Sequence, residues 1–321
     1  MSSGFLNIKK SLPTLGVGLG LRREIAGETF ENSDSIDWLE FVPENYMRLG
    51  GMAAERLETA QALFPLVSHG VNLSIGSTDD LSKDYLKSLK ELLDRLNAPW
   101  WSDHLCFTSI DKKYMHDLLP LPFTREAVKH LAQRIKRVQD YIERPFLIEN
   151  ISYYMNMPGC QMSDGQFLAE VVESADCGIL LDVNNVYVNS MNHQFDPIDY
   201  LREIPVDRTV QMHVAGHKRI GDYVIDTHGA ALIEPVYQLL QYVLSKTKVQ
   251  AVLLERDQNF PEFSELLAEL NQIRAIAQPV QPELIAARRA PTPAAKLNKR
   301  REERQPQPQT KGGRDLRALS A

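Results

Sequence analysis

Eight short apolar runs alternate with longer amphipathic segments along most of the chain. The runs are typical of β-strands because they are brief, rich in branched and aromatic residues, and often end at a polar residue or glycine. The predicted strands are 16–21, 37–43, 65–73, 100–107, 146–150, 178–185, 209–216 and 251–257.

The segments between these runs have helical periodicity. Leucines recur at three- and four-residue intervals over residues 86–96, and one apolar face follows Thr124, a candidate N-cap, as far as Ile142. Strands that alternate with helices form parallel sheets. Eight such units over residues 1–278 predict an α/β fold of the (β/α)8 TIM-barrel type in a single domain.

Residues 107–122 form a long insertion after the fourth predicted strand. Long loops of this kind in a barrel usually shape the mouth of the active site, and we expect the same here. The glycines of residues 16–20 lack the G-x-G-x-x-G spacing, so we predict neither a dinucleotide site nor another organic cofactor site.

The cysteine content and hydropathy bear on cellular location. The chain has 321 residues with three cysteines, Cys106, Cys160 and Cys177, and no CxxC pair. This favours a reducing compartment and argues against a cysteine zinc site. The sequence shows neither a secretory apolar segment nor a run approaching the ~18 apolar residues of a membrane span. We therefore expect a cytoplasmic protein without membrane association.

Charge is distributed unevenly. The whole chain carries a net charge of −6, while residues 279–321 contain ten Lys/Arg against four Asp/Glu, so residues 1–278 are strongly acidic. An acidic body argues against nucleic acid as a partner. The basic, proline-rich residues 279–321 are typical of a disordered tail. A second interpretation makes this tail a docking segment for a partner protein or an acidic peptide.

Histidines, carboxylates and one asparagine lie within the later predicted strands, at their ends or in the loop after the seventh strand. Barrel active sites form at the carboxyl ends of the strands, so these side chains should converge. Four carboxylates in one cavity would raise each other's pKa, whereas two or three divalent cations would neutralise them. The candidate ligands are His69, His104, Glu149, Asp182, Asn185, His213, Asp226, His228 and Glu255.

Mixed imidazole and carboxylate ligation suits iron, manganese or zinc, and the lack of thiolates disfavours a structural zinc site. The remaining histidines fit the pattern less well. We interpret His130 and His193 as structural, and we place His116 and His217 near the mouth without a ligand role.

With these residues in place, the chain resembles the DUF692 (UPF0276-type) family of multinuclear non-heme iron-dependent oxidative enzymes. The resemblance extends over residues 14–275. The motifs that carry it are PENYM at 43–47, SHGVNLSIGS at 68–77, SDHL at 102–105, HDLLPLPFT at 116–124, IEN at 148–150, LLDVNNVYVNS at 180–190, HVAGH at 213–217 and IDTHG at 225–229.

The resemblance implies two or three iron ions in mixed Fe(II)/Fe(III) states. It implies that Glu149 bridges two of them and that the other candidates are further ligands, with Glu149 and His213 as the catalytic residues. Three positions depart from the family pattern. Asn185 and Phe41 stand where histidine occurs in relatives, and Arg256 replaces an aromatic residue, which we expect to alter the pocket wall.

The resemblance also implies the reaction. Members modify ribosomally synthesised precursor peptides, commonly at cysteine, with dioxygen as co-substrate, and a separate partner protein usually recognises the leader segment of the precursor. The protein itself lacks a soft ligand at the predicted centre, and a substrate thiolate would supply one.

Two other functions remain open at this point. Zinc- or manganese-dependent hydrolases and isomerases of the endonuclease IV and xylose isomerase type use similar ligand rings, with metals that activate water. A non-catalytic metal-binding scaffold would saturate the metal with protein ligands, whereas a catalytic site keeps coordination positions open.

Overall fold

The computed structural model describes residues 4–47 and 50–286 of the chain, and its centre is a closed barrel of eight parallel strands. In their order around the barrel, the strands are β1 (Gly16–Gly20), β2 (Leu39–Phe41), β3 (Leu66–Gly70), β4 (Trp101–His104), β7 (Phe146–Glu149), β8 (Gly178–Asp182), β9 (Thr209–Ala215) and β12 (Ala251–Glu255). Strand β12 pairs with β1 to close the barrel. The predicted TIM barrel is confirmed.

Helices surround the barrel and follow most of its strands. Short 3-10 turns lie at Arg23–Ile25, Ser33–Ser35, Pro43–Asn45 and Val206–Arg208. The α-helices are α1 (Gly4–Lys9), α2 (Ala26–Glu31), α3 (Met52–Leu63), α4 (Lys83–Leu96), α5 (Arg125–Ile142), α6 (Asp164–Ala175), α7 (Val183–His193), α8 (Pro197–Glu203), α9 (Glu234–Lys246), α10 (Phe263–Ala277) and α11 (Pro282–Ala286).

The helix starts follow from local capping chemistry. The hydroxyl of Thr124 accepts a hydrogen bond from the backbone N–H of Ala127, which confirms the predicted N-cap of α5. Ser163 and Gln166 form a reciprocal capping box at the start of α6. Both helices bury one apolar face against the barrel, as their periodicity predicts.

All eight barrel strands end one to three residues earlier than predicted, and the sixth shows why. The prediction of a strand over 178–185 is wrong for residues 183–185, because β8 ends at Asp182 and α7 begins at Val183. The Asp182 carboxylate accepts a hydrogen bond from the backbone N–H of Asn185, so it caps the helix directly at the end of the strand. The strand therefore gives way to a helix within the LLDVNN motif.

Two antiparallel hairpins in the loops were not predicted. Strands β5 (Phe107–Ile110) and β6 (Lys113–Leu119) form the first, within the long insertion. Strands β10 (Lys218–Ile220) and β11 (Tyr223–Ile225) form the second, after β9.

The floor of the barrel lumen is apolar. Large buried side chains close the lumen from below, and Phe5 of α1 contributes to the same cluster. The barrel residues of this cluster include Trp38, Val67, Trp100, Leu147, Leu180 and Leu253. A packed floor of this kind leaves only the opposite, carboxyl-terminal end of the lumen for polar chemistry.

Gly18 tests how tightly this floor is packed. A Cβ at Gly18 would lie 2.5 Å from the Cε2 atom of Trp38, so we expect Gly18→Ala to destabilise the fold by about 1–3 kcal/mol. Gly27 in α2 has nothing within 4 Å of such a Cβ, and Gly27→Ala should stabilise the helix by about 0.5–1 kcal/mol. Urea unfolding of the metal-free variants measures both. Equal effects of the two substitutions would contradict a packed floor.

Part of the predicted tail has defined structure. Leu284 of α11 is fully buried, and the Gln281 side chain donates to the carbonyl oxygens of Leu244 and Thr247 and accepts from the N–H of Val249. Residues up to 286 therefore pack on the barrel, beyond the boundary of 278 that we expected. The rest of the predicted tail lies outside the described residues. No helix within the described ranges has both the length and the hydropathy needed to cross a membrane.

Candidate metal centre

The polar side chains of the lumen form a layer directly above the apolar floor. Side chains alternate along a β-strand, so a residue two positions after a floor residue points into the same lumen. This relation holds on six strands. It links Trp38 to Glu40, Val67 to His69, Trp100 to Ser102, Leu147 to Glu149, Leu180 to Asp182 and Leu253 to Glu255, and all twelve side chains are buried.

Glu149 connects the two sides of this layer. Its Oε2 atom is 2.9 Å from His69 Nε2 and 3.1 Å from His104 Nε2, and the two imidazole nitrogens are 3.2 Å apart. Its Oε1 atom is 3.3 Å from His213 Nδ1 on the other side of the lumen. One carboxylate thus faces three imidazoles on three different strands.

His213 of β9 lies among three carboxylates. Its Nδ1 atom is 3.0 Å from Glu255 Oε2 in addition to the contact with Glu149, and its Nε2 atom is 3.1 Å from Glu40 Oε2. Glu40 was not predicted as a site residue. Its carboxylate also accepts a hydrogen bond from Gln211, whose Oε1 accepts from Trp100 Nε1 at 2.8 Å.

The outer edge of the centre is formed by the loop after β11. His228 Nδ1 is 3.5 Å from Glu255 Oε1, and His228 Nε2 is 2.8 Å from Asp226 Oδ1. Asp257 also faces His228, with Oδ2 at 3.1 Å from Nδ1, and Arg22 donates to Asp257 Oδ1. His228 is thus held between carboxylates on two loops.

The donor set fits metal ions. Within the described part of the chain, four groups of three residues bring one ligand atom each to within 4.8 Å of one another. Asp226 and Asn185 are not members of these groups. The groups are His69–His104–Glu149, Glu40–His213–Glu255, Glu149–Asp182–His213 and Asp182–His228–Glu255. Because they share Glu149, Asp182, His213 and Glu255, adjacent cations would have common ligands.

Several ligand atoms of this centre are buried and form no hydrogen bond of favourable geometry among the described residues, although three of them lie close to an oppositely charged group. These atoms are Glu149 Oε2, Asp182 Oδ2, Asn185 Oδ1, His213 Nδ1 and His228 Nε2. Buried polar atoms are rarely left without a partner, because each costs about 1–3 kcal/mol. Cations at these positions would satisfy lone pairs that the protein contacts leave without a well-oriented donor, so the residues present fit a metal centre.

The titration behaviour of the centre reflects the same crowding. Burial disfavours the charged form of His69, yet the carboxylates of Glu149 and Glu40 raise its pKa to about 9. Burial lowers the pKa of His104 to about 4. Burial and the neighbouring Asp226 and Glu149 carboxylates raise the pKa of Asp182 well above its ordinary value. Protons on the imidazoles and carboxyl groups thus offset the negative charge of the cluster, and bound metal cations would take the place of these protons.

A cavity of about 460 Å³ opens above the ligands. His69, His104, His228 and Glu255 lie along its floor, and Thr108, Tyr114, His116, Asp117 and Leu118 of the β5–β6 hairpin form one wall. The prediction that residues 107–122 shape the mouth is confirmed. His116 faces this mouth, as expected.

The structure brings eight of the nine predicted ligands into the contacts described above. The ninth, Asn185, lies beside Asp182 at the start of α7, and its Nδ2 donates to the carbonyl of Asn150. That these residues bind metal stays a prediction.

Three histidines take part in other contacts. His130 Nε2 is 2.9 Å from the carbonyl of Ser77, and His193 stacks on Tyr153, so both lie outside the ligand groups as expected. His217 stacks on Tyr187, and its Nδ1 is 2.7 Å from Asn184 Oδ1. Asn184 in turn donates to Asp226, so His217 is linked to a predicted ligand through the side chain of Asn184.

A protein-family model described as "RiPP precursor modification enzyme MbnB/TglH/ChrH" matches residues 16–278, where RiPP denotes a ribosomally synthesised and post-translationally modified peptide. The chain belongs to this family. The match covers the barrel, including every candidate ligand. It agrees closely with the range of 14–275 over which the sequence motifs extend.

Curated relatives support the same assignment. A UPF0276 protein of Shewanella sediminis is 44% identical over 259 residues, which cover 80% of this chain and 92% of the relative. A UPF0276 protein of Acinetobacter baylyi is 44% identical over 265 residues, covering 82% and 92%.

Solved structures with the same fold include a D-psicose 3-epimerase in the presence of D-fructose, at a TM-score of 0.53 and 10% identity over 83% of this chain and 99% of that chain. A D-tagatose 3-epimerase-like protein aligns with a TM-score of 0.53 and 13% identity, covering 82% and 98%. At these identities the similarity shows the TIM-barrel fold alone.

Two departures from the family pattern lie away from the centre. The expectation that Arg256 alters the pocket wall is wrong, because its guanidinium is buried against α10, where it pairs with Glu269 at 2.7 Å. Phe41 packs in the outer core against Tyr46. Both residues directly follow a lumen carboxylate, so strand alternation directs them away from the lumen.

Proposed function

We propose that this protein is a multinuclear non-heme iron enzyme that uses dioxygen to oxidise a ribosomally synthesised precursor peptide at cysteine. The observation that carries the proposal is the set of overlapping ligand groups that share Glu149, in a chain that belongs to a family of precursor modification enzymes. Because Glu149 belongs to two of these groups, two metal ions held there would lie side by side, and the substrate and dioxygen could bind at neighbouring positions.

The ligands would hold two neighbouring metal ions. His69, His104 and Glu149 would hold one ion, and Glu149, His213 and Asp182 would hold its neighbour. Iron held by such nitrogen and oxygen ligands, with positions left open, supplies dioxygen activation. His69 and His104 line the cavity floor, so a substrate thiolate that enters through the mouth reaches the first of these positions.

The protein supplies no thiolate of its own. Cys106 and Cys177 are buried, and burial raises the pKa of Cys177 to about 12. Cys160 lies at the surface outside this cavity. A cysteine of the peptide would therefore be the soft ligand, and its binding would place the Cβ hydrogen next to the metal pair. Tyr114 and His116 of the hairpin wall would contact the peptide around that cysteine.

A metal-dependent isomerase or hydrolase is the second candidate, because solved sugar epimerases have the same fold. The strongly acidic body disfavours a nucleic-acid substrate for such an enzyme. A scaffold without catalytic activity is the third candidate. The open cavity above the ligands favours catalysis over both storage and sequestration.

Metal reconstitution separates these functions. The protein is purified without oxygen, stripped with a chelator, and reloaded with iron, manganese or zinc. It is then mixed with a cysteine-containing peptide encoded beside its gene, with and without any partner protein encoded there. We expect dioxygen uptake and a peptide mass change only with iron, and a cysteine-to-serine peptide should abolish both. Turnover with zinc alone, or turnover without dioxygen, would contradict the proposal.

A further inference from the structure

A second cavity, of about 490 Å³, lies outside the metal centre between the start of α6 and helix α8. We call it the acidic cavity. Phe123, Met162 and Phe195 form apolar walls, and four carboxylates line it while none of its lining residues is Lys, Arg or His. The carboxylates are Asp164, Asp196, Asp199 and Glu203. The cavity therefore combines apolar walls with a concentrated negative charge.

Two buried polar atoms of this cavity have no hydrogen-bond partner among the described residues. The first is the hydroxyl of Tyr200, a residue that is only 4% exposed, and the second is Asp164 Oδ2. Both oxygens accept hydrogen bonds, and each is costly to bury without a donor. Burial and the neighbouring Glu203 raise the pKa of Asp164 to about 7, although hydrogen bonds from Asn189 and Tyr153 to its carboxylate act in the opposite direction.

The carboxylates at the entrance have other partners in part. Asp199 pairs with Arg202 at 2.8 Å, and Asp196 caps α8 through the N–H of Ile198. Glu203 accepts a hydrogen bond from the hydroxyl of Ser163, which is neutral. Of the four carboxylates, only Asp199 has a basic partner among the ion pairs of the described residues, and Asp164 and Glu203 also lack the helix-capping contact that Asp196 makes.

These features point to an organic cation rather than a metal ion. The four metal-ligand groups of the described residues contain neither Asp164 nor Glu203. Aromatic and thioether walls suit the methylene stem of a lysine or arginine, whose charged end would reach the carboxylates. We propose that the acidic cavity binds the basic side chain, lysine or arginine, of a polypeptide that lies on this end of the barrel.

The position of the cavity connects it with the metal centre. Ser152 Oγ is 3.4 Å from Asp226 Oδ2, and the hydroxyl of Tyr154 accepts from the N–H of Asp226. Tyr153, between them in the chain, lines the acidic cavity. One short loop after β7 therefore borders both sites, and a peptide crossing it reaches both. The identification of that polypeptide as the precursor rests on the proposed function, whereas the binding of the cation does not.

Cys160 provides a direct readout, because it is exposed and lines the acidic cavity, whereas Cys106 and Cys177 are buried. The metal-loaded protein is alkylated with iodoacetamide, and the rate at Cys160 is followed by mass spectrometry. The probes are lysine with both ends blocked and norleucine blocked in the same way, which has a similar stem without the ammonium group. We expect the lysine probe to slow alkylation several-fold and the norleucine probe to have little effect.

Variants identify the groups that bind the probe. Glu203→Gln keeps an acceptor for Ser163, and Tyr200→Phe keeps the ring. We expect Glu203→Gln to weaken protection by the lysine probe about tenfold, because a charge-assisted hydrogen bond is lost. Tyr200→Phe should weaken it in the same direction. Glu173→Gln, at an exposed position of α6 outside the cavity, is the matched control and should leave protection unchanged.

Two results would overturn the proposal. Equal protection by the lysine and norleucine probes, or none by either, would exclude a cation site. With the precursor, Glu203→Gln should raise KM and leave kcat unchanged. An unchanged KM in a variant with weakened protection would refute the precursor as the occupant and leave the cation site in place. Because the alkylation assay needs no turnover, failure of the proposed function is distinguishable from failure of this site.

Discussion

Glu149→Gln should abolish both tight metal binding and turnover. Glu149 belongs to two of the four ligand groups, so the change removes one negative ligand from two adjacent positions at once. It also leaves His69, His104 and His213 without the carboxylate that they share. Loss of one partner from a buried charged set costs about 3–5 kcal/mol, which corresponds to a loss of roughly 10²- to 10⁴-fold.

Metal content after dialysis, determined by mass spectrometry, and peptide turnover measure this effect. Glu173→Gln makes the same chemical change at an exposed position of α6 and should retain both properties. Circular dichroism of each variant checks that the barrel is intact. A Glu149→Gln protein with full metal content would show that Glu149 is not shared between ions, and the two-ion arrangement would then be wrong.

The positions of most ligands could be predicted because the barrel fixes them. Once eight strands are assigned, an inward-facing polar residue near the carboxyl end of a strand must lie above the apolar floor of the lumen. His69, Glu149 and Glu255 follow this rule directly. The predicted helix cap at Thr124 likewise rests on local chemistry that the sequence contains in full.

Glu40 was missed for a reason that concerns strand length. The predicted strand over 37–43 extends two residues beyond β2 (Leu39–Phe41), so Glu40 was placed three residues before the strand end instead of one. The alternation of side chains along the strand could have identified it, because Trp38 and Glu40 are two residues apart and face the same side. A charged residue within a buried apolar run must also face a polar partner. Its partners are on β9, and nothing local in the sequence identifies them.

The hairpin in the mouth could not be predicted because its turn has an unusual sequence. Asp111 and Lys112 both have positive φ, of 50° and 60°, as in a type I′ turn. Such turns strongly prefer Asn-Gly or Asp-Gly, and lysine gives no such signal. The acidic cavity was equally hidden, because Asp164 and Tyr200 come from two different helices and meet only through packing.

Glu40 should act on the metal centre through His213, and its substitution is the second large effect that we expect. A buried chain of hydrogen bonds runs from Trp100 to Gln211 and from Gln211 to Glu40. Glu40 Oε2 then faces His213 Nε2, and His213 Nδ1 faces Glu149 and Glu255. If Nε2–H donates to Glu40, the Nδ1 lone pair is fixed toward the metal positions.

Carboxylates that orient a ligating histidine typically change metal affinity 10- to 100-fold when they are replaced. Glu40→Gln keeps the size of the side chain and an acceptor oxygen but loses the charge, so we expect about a tenfold loss of affinity. Glu40→Ala also leaves the donors of Gln211 and His213 unpaired, and we expect about a hundredfold loss with lower stability. Competition with a chelator measures affinity, and urea unfolding of the metal-free protein measures stability.

The comparison with Glu149 decides what Glu40 does. A positioning residue weakens metal binding by a moderate factor and leaves the number of bound ions unchanged at saturating metal. A Glu40→Gln protein that lost one ion entirely, as Glu149→Gln should, would make Glu40 a direct ligand within the Glu40–His213–Glu255 group. A protein that lost stability alone, with unchanged metal affinity, would reduce Glu40 to a part of the barrel core. Glu55→Gln, at an exposed position of α3, is the matched control for both measurements.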